Sequence, residues 1–254
     1  MEEKIWKKST ERGILGVERA TLTHRQDHLR EVIVTALESK PIWTKPIDFG
    51  MSESPGTVST HPYGNGQIVV RFFEDGNWAR KIFRNVESVR KRKACFDEEH
   101  IAFVQRVGSS KAALVTLALM DENNRMLPTL ETYFKDGKKT SPSLQTVAMN
   151  AIKKLAEFHA GGFSHGHPSC ENVLVENPGT IRLIDPKDIT PIYRLKAKSA
   201  EEYREKDRDT LAEQILMLME NKLSDREHDE LSKKLDEEYA RHYKRCKEKD
   251  RERT

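Results

Sequence analysis

Three polar residues in the second half of the chain have the types and spacing to do chemistry. They are His167, Asn172 five positions later, and Asp185 thirteen beyond that. Asn172 precedes an apolar run, Val173-Leu174-Val175, and Asp185 follows another, Ile181, Leu183 and Ile184. Between the runs stands Asn177-Pro178-Gly179, a strong turn signal. The pattern predicts a short β-hairpin with an amide before its first strand and a carboxylate after its second. Such a hairpin can aim both oxygens at one point, and oxygen donors suit Mg²⁺. His167 adds an imidazole, which accepts a proton when it is neutral.

The elements that must position these residues are legible to different degrees. From Ser143 to His159 the chain reads as a helix, with Leu144, Val147, Ala148, Ala151, Ile152, Leu155 and Phe158 on one wide face. Gly161-Gly162 ends it, and His159 falls at the helix end, near the dipole. Beyond Asp185 a charged helix is expected to contain Asp209 to Leu216. Ser224-Asp225-Arg226-Glu227 is a capping box before a last helix carrying Leu231, Leu235 and Tyr239. The tail after Tyr243 is expected to fray.

The first half reads as mostly strands. Gln67–Phe73 and Trp78–Phe83 are expected to pair as a hairpin across the turn Glu74-Asp75-Gly76-Asn77, with Tyr63-Gly64-Asn65-Gly66 leading in. Ala112–Met120 and Met126–Phe134 read as two more strands, and Ile42–Phe49 as another. Phe96, Phe103 and Val107 define a helical stripe with Glu99 beside it. A separate helix is predicted over Thr23–Ser39. Arg90 to Lys93 reads as a solvated basic run.

This order of motifs resembles the protein kinase-like superfamily. His165-Gly166-His167-Pro168-Ser169-Cys170-Glu171-Asn172 is similar to the catalytic loop H-R-D-x-x-x-x-N, with Asn172 in register. The H-G form resembles the small atypical kinases of the RIO-like and lipopolysaccharide-kinase-like groups, and the aminoglycoside phosphotransferases. Asp185 falls at the Asp of D-F-G, written here Asp185-Pro186-Lys187. The resemblance implies an α+β, two-lobed fold with a β-rich N-lobe and a helical C-lobe. Its expected parts are an N-terminal helical extension (1–40), an N-lobe (41–134), a C-lobe (135–222) and a C-terminal charged helix and tail (223–254).

The resemblance also implies roles. Lys81, in Ala79-Arg80-Lys81-Ile82, matches the strand lysine that holds the phosphates of ATP, and Glu99 or Glu98 matches its C-helix partner. Gly64 and Gly66 sit where the family keeps a phosphate loop. Glu131 and Tyr133 fall in the hinge that reads adenine. Asn172 and Asp185 would hold Mg²⁺, and Asp209 would accept hydrogen bonds from the catalytic-loop backbone. His167 stands where the family has its catalytic Asp. Hence two functions are implied: an ATP-dependent phosphotransferase, an atypical serine/threonine kinase with His167 as base, or a nucleotide-binding pseudokinase with a regulatory role. A purely structural interaction protein on the same fold is a third reading. The acceptor, a protein or a small-molecule hydroxyl, is not legible. No A-P-E follows Asp185, which argues against a docked linear peptide.

Bulk properties narrow the class. The 254 residues suffice for one large domain or one two-lobed domain. Basic and acidic residues nearly balance, 44 against 41, so nothing marks a general nucleic-acid surface. No apolar run approaches membrane-spanning length. Cys95, Cys170 and Cys246 are far apart, with neither disulfide nor metal-site spacing, which suggests a reducing compartment. The N-terminus lacks a signal-peptide apolar region, and a cytoplasmic protein is expected.

Overall fold

Gln67 to Phe73 alternates between two environments, and that alternation makes a strand. The computed structural model describes residues 6–10, 13–19, 58–63, 66–92, 94–97, 100–106, 112–123, 125–136 and 141–251. In it the strand belongs to a six-stranded antiparallel sheet. The members are β1 (Trp6–Thr10), β2 (Gly13–Arg19), β3 (Val58–Tyr63), β4 (Gly66–Phe73), β5 (His100–Arg106) and β6 (Ala112–Leu117), in the order β1-β2-β5-β6-β4-β3. Ile68, Val70 and Phe72 of β4 are buried on one face. Val69, Arg71 and Phe73 take the other, opposite Thr116, Leu114 and Ala112 of β6.

After β4 comes a helix, α1 (Gly76–Lys91), where the sequence reading had a return strand over Trp78–Phe83. Asp75-Gly76 is therefore a helix start and not a hairpin turn. The Asp75 carboxylate accepts the Asn77 N–H at 2.8 Å, and its carbonyl accepts the Ala79 N–H. Ala79, Ile82, Phe83, Val86 and Val89 recur at helical spacing and are buried. Ala79, Ile82 and Phe83 pack with Phe73, Phe103, Ala112 and Leu114, so α1 covers the sheet face that carries Arg71. The helix expected over Phe96–Val107 is overturned as well: His100–Arg106 is β5, paired with β2 and β6. A short apolar run fits both periods, and cross-strand pairing decided this one.

The chain divides into two compact units, with boundaries at Glu87/Ser88, Asp97/Glu98 and Met126/Leu127. The first holds the sheet and most of α1. The second holds the elements after Leu127 and the 88–97 segment. It contains α2 (Leu130–Lys135), α3 (Ser141–Ala160), the hairpin β7 (Val173–Asn177) and β8 (Thr180–Leu183), α4 (Ala197–Met219) and α5 (Asp225–Arg251).

The apolar stripe of α3 is the centre of the second unit's core. Leu144, Val147, Ile152, Leu155 and Phe158 are buried among residues of β7, β8, α4 and α5. Burial of each such side chain stabilises by about 1.5–3 kcal/mol. Gly161 and Gly162 stop α3 as expected. The Gly162 N–H bonds the His159 carbonyl, with φ +91°, a conformation glycine adopts without strain. Ser224 and Glu227 form the predicted capping box at the start of α5: the Ser224 N–H donates to Glu227 at 2.8 Å and Glu227 N–H donates back to Ser224 Oγ at 3.4 Å. That helix runs on to Arg251, so the tail beyond Tyr243 is helical and not frayed. Among the described residues, no helix is long and apolar enough to cross a membrane.

Candidate active site

The predicted hairpin is present, and it brings Asn172 and Asp185 to its open end. Val173 pairs with Leu183, and the Ile184 N–H donates to the Asn172 carbonyl at 3.0 Å. The two functional side chains therefore flank one ladder bond. At the closed end, Asn177 Oδ1 accepts the Gly179 N–H at 2.9 Å, which is how an Asn-Pro-Gly turn holds itself. Asn172 Nδ2 donates to the His167 carbonyl at 3.0 Å, so the amide's acceptor atom, Oδ1, takes no part in that bond. Asp185 has φ +63°, the one positive φ at a non-glycine residue among those described. Backbone strain of this kind costs about 1–3 kcal/mol and persists where the surroundings enforce it.

The enforcing contacts are specific. Ser164 and Thr190 exchange two backbone hydrogen bonds at 2.9 Å, closing the loop that holds Asp185 against the loop that holds His167. His165 is buried, and its Nε2–H donates to the Ile184 carbonyl at 2.8 Å, one residue before Asp185. In this tautomer Nδ1 is buried without a hydrogen-bond partner, and the ring lies 6.3 and 6.1 Å from those of Phe96 and Phe158. Gly166 has φ +82°, and a Cβ there would lie 2.6 Å from the Asp188 carbonyl oxygen. The chain thus needs glycine between the two histidines. His167 itself is exposed.

Asp207 of α4 holds this loop from beneath. Its Oδ2 accepts the His165 N–H at 2.7 Å and the Ser164 hydroxyl at 2.8 Å, and its Oδ1 accepts the Gly166 N–H at 3.0 Å. His159 Nε2 lies 2.9 Å from Oδ2, and His159 Nδ1 lies 2.5 Å from the Tyr239 hydroxyl. Burial alone would raise the Asp207 pKa, but the hydrogen bonds from His159 and Ser164 hold it below the ordinary carboxylate value. Burial lowers that of His159, against the opposing pull of Asp207. The pair is therefore carboxylate and neutral imidazole. His159 donates Nε2–H to Asp207 and accepts the Tyr239 proton at Nδ1.

A second acid, Asp97, fixes the hairpin's outer edge. Its carboxylate accepts the Leu183 N–H at 3.0 Å, an Arg182 N–H at 3.1 Å and the Lys154 ammonium at 2.8 Å. Burial pushes the Cys170 thiol up to about 12, which favours its protonated form. Its N–H donates to Gln214 at 2.7 Å, a further tie to α4.

No protein-family model matches the chain, and no curated protein matches it in sequence. Solved structures do match it. "WaaP in complex with acyl carrier protein" superposes with a TM-score of 0.52 at 14% identity, over 77% of this chain and 77% of that one. A Toxoplasma protein, described as a divergent kinase lacking the glycine-rich loop that regulates membrane ultrastructure of the parasitophorous vacuole, gives 0.51 at 14% identity, over 82% and 78%. The fold is protein kinase-like.

Against the kinase-like fold, several expected residues stand elsewhere. Lys81 is on the exposed side of α1 and not on a strand, so it loses the strand-lysine setting. The strand directly before the helix is β4, and its cation is Arg71, half-buried on the face that α1 covers. The acid that α1 itself supplies is Glu87. Glu98 and Glu99 lie outside the described residues, as do Gly64 and the segments predicted as a helix over Thr23–Ser39 and a strand over Ile42–Phe49. Gly66 is the first residue of β4, where it pairs with Tyr63 of β3.

Glu131 and Tyr133 are in α2, not in an extended hinge. Their N–H groups are already donated, to the Cys170 and Thr129 carbonyls. Thr129 caps that helix, its Oγ1 accepting the Thr132 N–H at 3.1 Å. Asp209 is exposed and bonds Arg208, so the loop-holding role expected of it belongs to Asp207. The sequence offered a signal for Asp207: it lies one turn before Leu211 on the stripe Asp207-Leu211-Ile215, which is buried along α4.

Proposed function

We propose that the chain is an ATP-dependent phosphotransferase, an atypical serine/threonine kinase acting on a hydroxyl acceptor. The observation that carries this reading is Asp185, in a strained backbone conformation beside Asn172 at the open end of one hairpin. A merely structural hairpin has no use for that strain.

The donor set fits Mg²⁺. Asn172 offers an amide oxygen whose orientation the His167 carbonyl fixes, and Asp185 offers a carboxylate. When bound, the ion would neutralise charge on the nucleotide phosphates. His167 would take the acceptor hydroxyl's proton. The acceptor oxygen bonds the γ-phosphorus as the bond to the β,γ-bridging oxygen breaks, releasing ADP. The Toxoplasma neighbour, described as lacking the glycine-rich loop, supports the idea that this fold can work without one. The reducing-compartment cysteine usage supports a cytoplasmic setting.

A pseudokinase is the second reading, and His167 favours it. An imidazole cannot supply the negative charge of the family's aspartate. One experiment separates the readings. ATP is titrated with and without Mg²⁺, then single-turnover phosphate transfer is followed in the parent and in His167→Ala. Mg²⁺-dependent binding with transfer lost in the variant supports the kinase. Mg²⁺-dependent binding with no transfer in either protein supports the pseudokinase. No binding at all overturns both.

A further inference from the structure

On the flank of the second unit, α3 and α5 run side by side in the same direction. Lys153 meets Glu238, and one turn on, Glu157 meets His242. One further turn along α5 stands Cys246, four residues after His242 and so on the same face of the helix. Glu157, His242 and Cys246 each present one ligand atom, and the three atoms lie within 4.8 Å of one another. His242 Nε2 is 3.0 Å from Glu157 Oε1. None of the three belongs to the loops around Asp185, and all three are partly buried, reachable from solvent yet held by packed helices.

We infer that Glu157, His242 and Cys246 form a binding site for a divalent transition-metal ion, zinc being the best match. The donor types decide this. A thiolate and an imidazole are ligands for zinc and not for Mg²⁺ or Ca²⁺, which take oxygen. Three protein ligands, one each of sulfur, nitrogen and oxygen, leave a tetrahedral ion one position for water. Spacing of His242 and Cys246 by four helical residues places both donors over one point, and Glu157 closes the triangle from α3. On binding, the Cys246 thiol gives up its proton, so thiolate and carboxylate together neutralise the ion's charge. The ion would pin the last turns of α5 to α3. The sequence spacing hides the site, because Glu157 is 85 residues from His242.

The test uses the full chain. Cobalt(II) is added as an optical probe, and zinc is titrated by calorimetry. The expected result is one equivalent bound, with a thiolate-to-cobalt charge-transfer band in the near ultraviolet. Cys246→Ser should abolish the band, and His242→Ala should weaken zinc binding by at least about tenfold, the lower bound seen even for outer-shell losses. Asp185→Ala should leave zinc binding unchanged, since it belongs to the other site. Zinc should also raise the melting temperature of the parent and not of Cys246→Ser, a readout that does not depend on activity. A parent that shows no saturable binding overturns the proposal. So does a cobalt band that survives Cys246→Ser, or zinc affinity that His242→Ala leaves at the parent value.

Discussion

Asp207, on α4, accepts the backbone N–H of His165 at 2.7 Å, across 42 residues of sequence. The same carboxylate takes the Gly166 N–H and the Ser164 hydroxyl. The loop that presents His167 is therefore hung from one buried charge. Asp207→Ala leaves these neutral donors without a partner and should cost at least about 1–3 kcal/mol of stability, the cost of one buried donor left unsatisfied. Asp209→Ala, on the exposed side of the same helix, should stay within about 0.5 kcal/mol of the parent. Urea midpoints of the two variants check the contrast, and equal midpoints would put the loop's anchor elsewhere.

The His159–Asp207 pair predicts a loss of stability in acid. Burial holds the folded-state pKa of His159 below its ordinary 6.5, so the unfolded chain takes up that proton first. The stability from neutral His159 is fully present above 6.5 and is lost as pH falls through that value. Asp207, with its folded-state pKa below the ordinary 3.8, adds a loss of the same sign as pH falls beneath 3.8. Around His159 the groups that set this are Asp207, Tyr239, Arg204 and His165. In His159→Gln the fall of the denaturation midpoint between about pH 7 and 5 should be shallower than in the parent. Parallel curves for the two proteins would refute the assignment.

The place of Lys81 on α1 is open to a direct measurement. Lys81→Ala should change Mg²⁺–ATP binding by less than about twofold, since an exposed helix lysine is solvated. Asp185→Ala should abolish the dependence on Mg²⁺. A loss of about tenfold or more in Lys81→Ala would restore the strand reading that α1 contradicts.

His167 is predicted to act on the acceptor side alone. His167→Ala should lower the rate of transfer while ATP affinity stays within about twofold of the parent, the signature of an interaction made only in the transition state. Equal rates for parent and variant would leave His167 without a role in the chemistry.

The hairpin, the long helix and the capping box were written locally, and the sequence alone determined them. Asn-Pro-Gly closes a turn whatever surrounds it, Gly161-Gly162 stops a helix, and Ser224 and Glu227 find each other within one turn. Asn172 and Asp185 were legible for the same reason, since both adjoin that hairpin. The first unit was read less well. Asp75-Gly76 fits a hairpin turn as readily as a helix start, and His100–Arg106 fits a helix as readily as a strand. Only pairing of His100–Arg106 with β2 and β6, and packing of Ala79, Ile82 and Phe83 against Phe103 and Leu114, decided between them. Lys81, read there as the strand cation, lies on α1 instead, and Glu99, read as its helix partner, lies outside the described residues. Asp207 had a local signal in its buried helical stripe, but its partners, like the Glu157–His242–Cys246 triangle, depend wholly on tertiary structure. Those partners lie about 40 to 90 residues away, and a hydrogen bond or ligand contact at that separation leaves no periodicity in the chain to read.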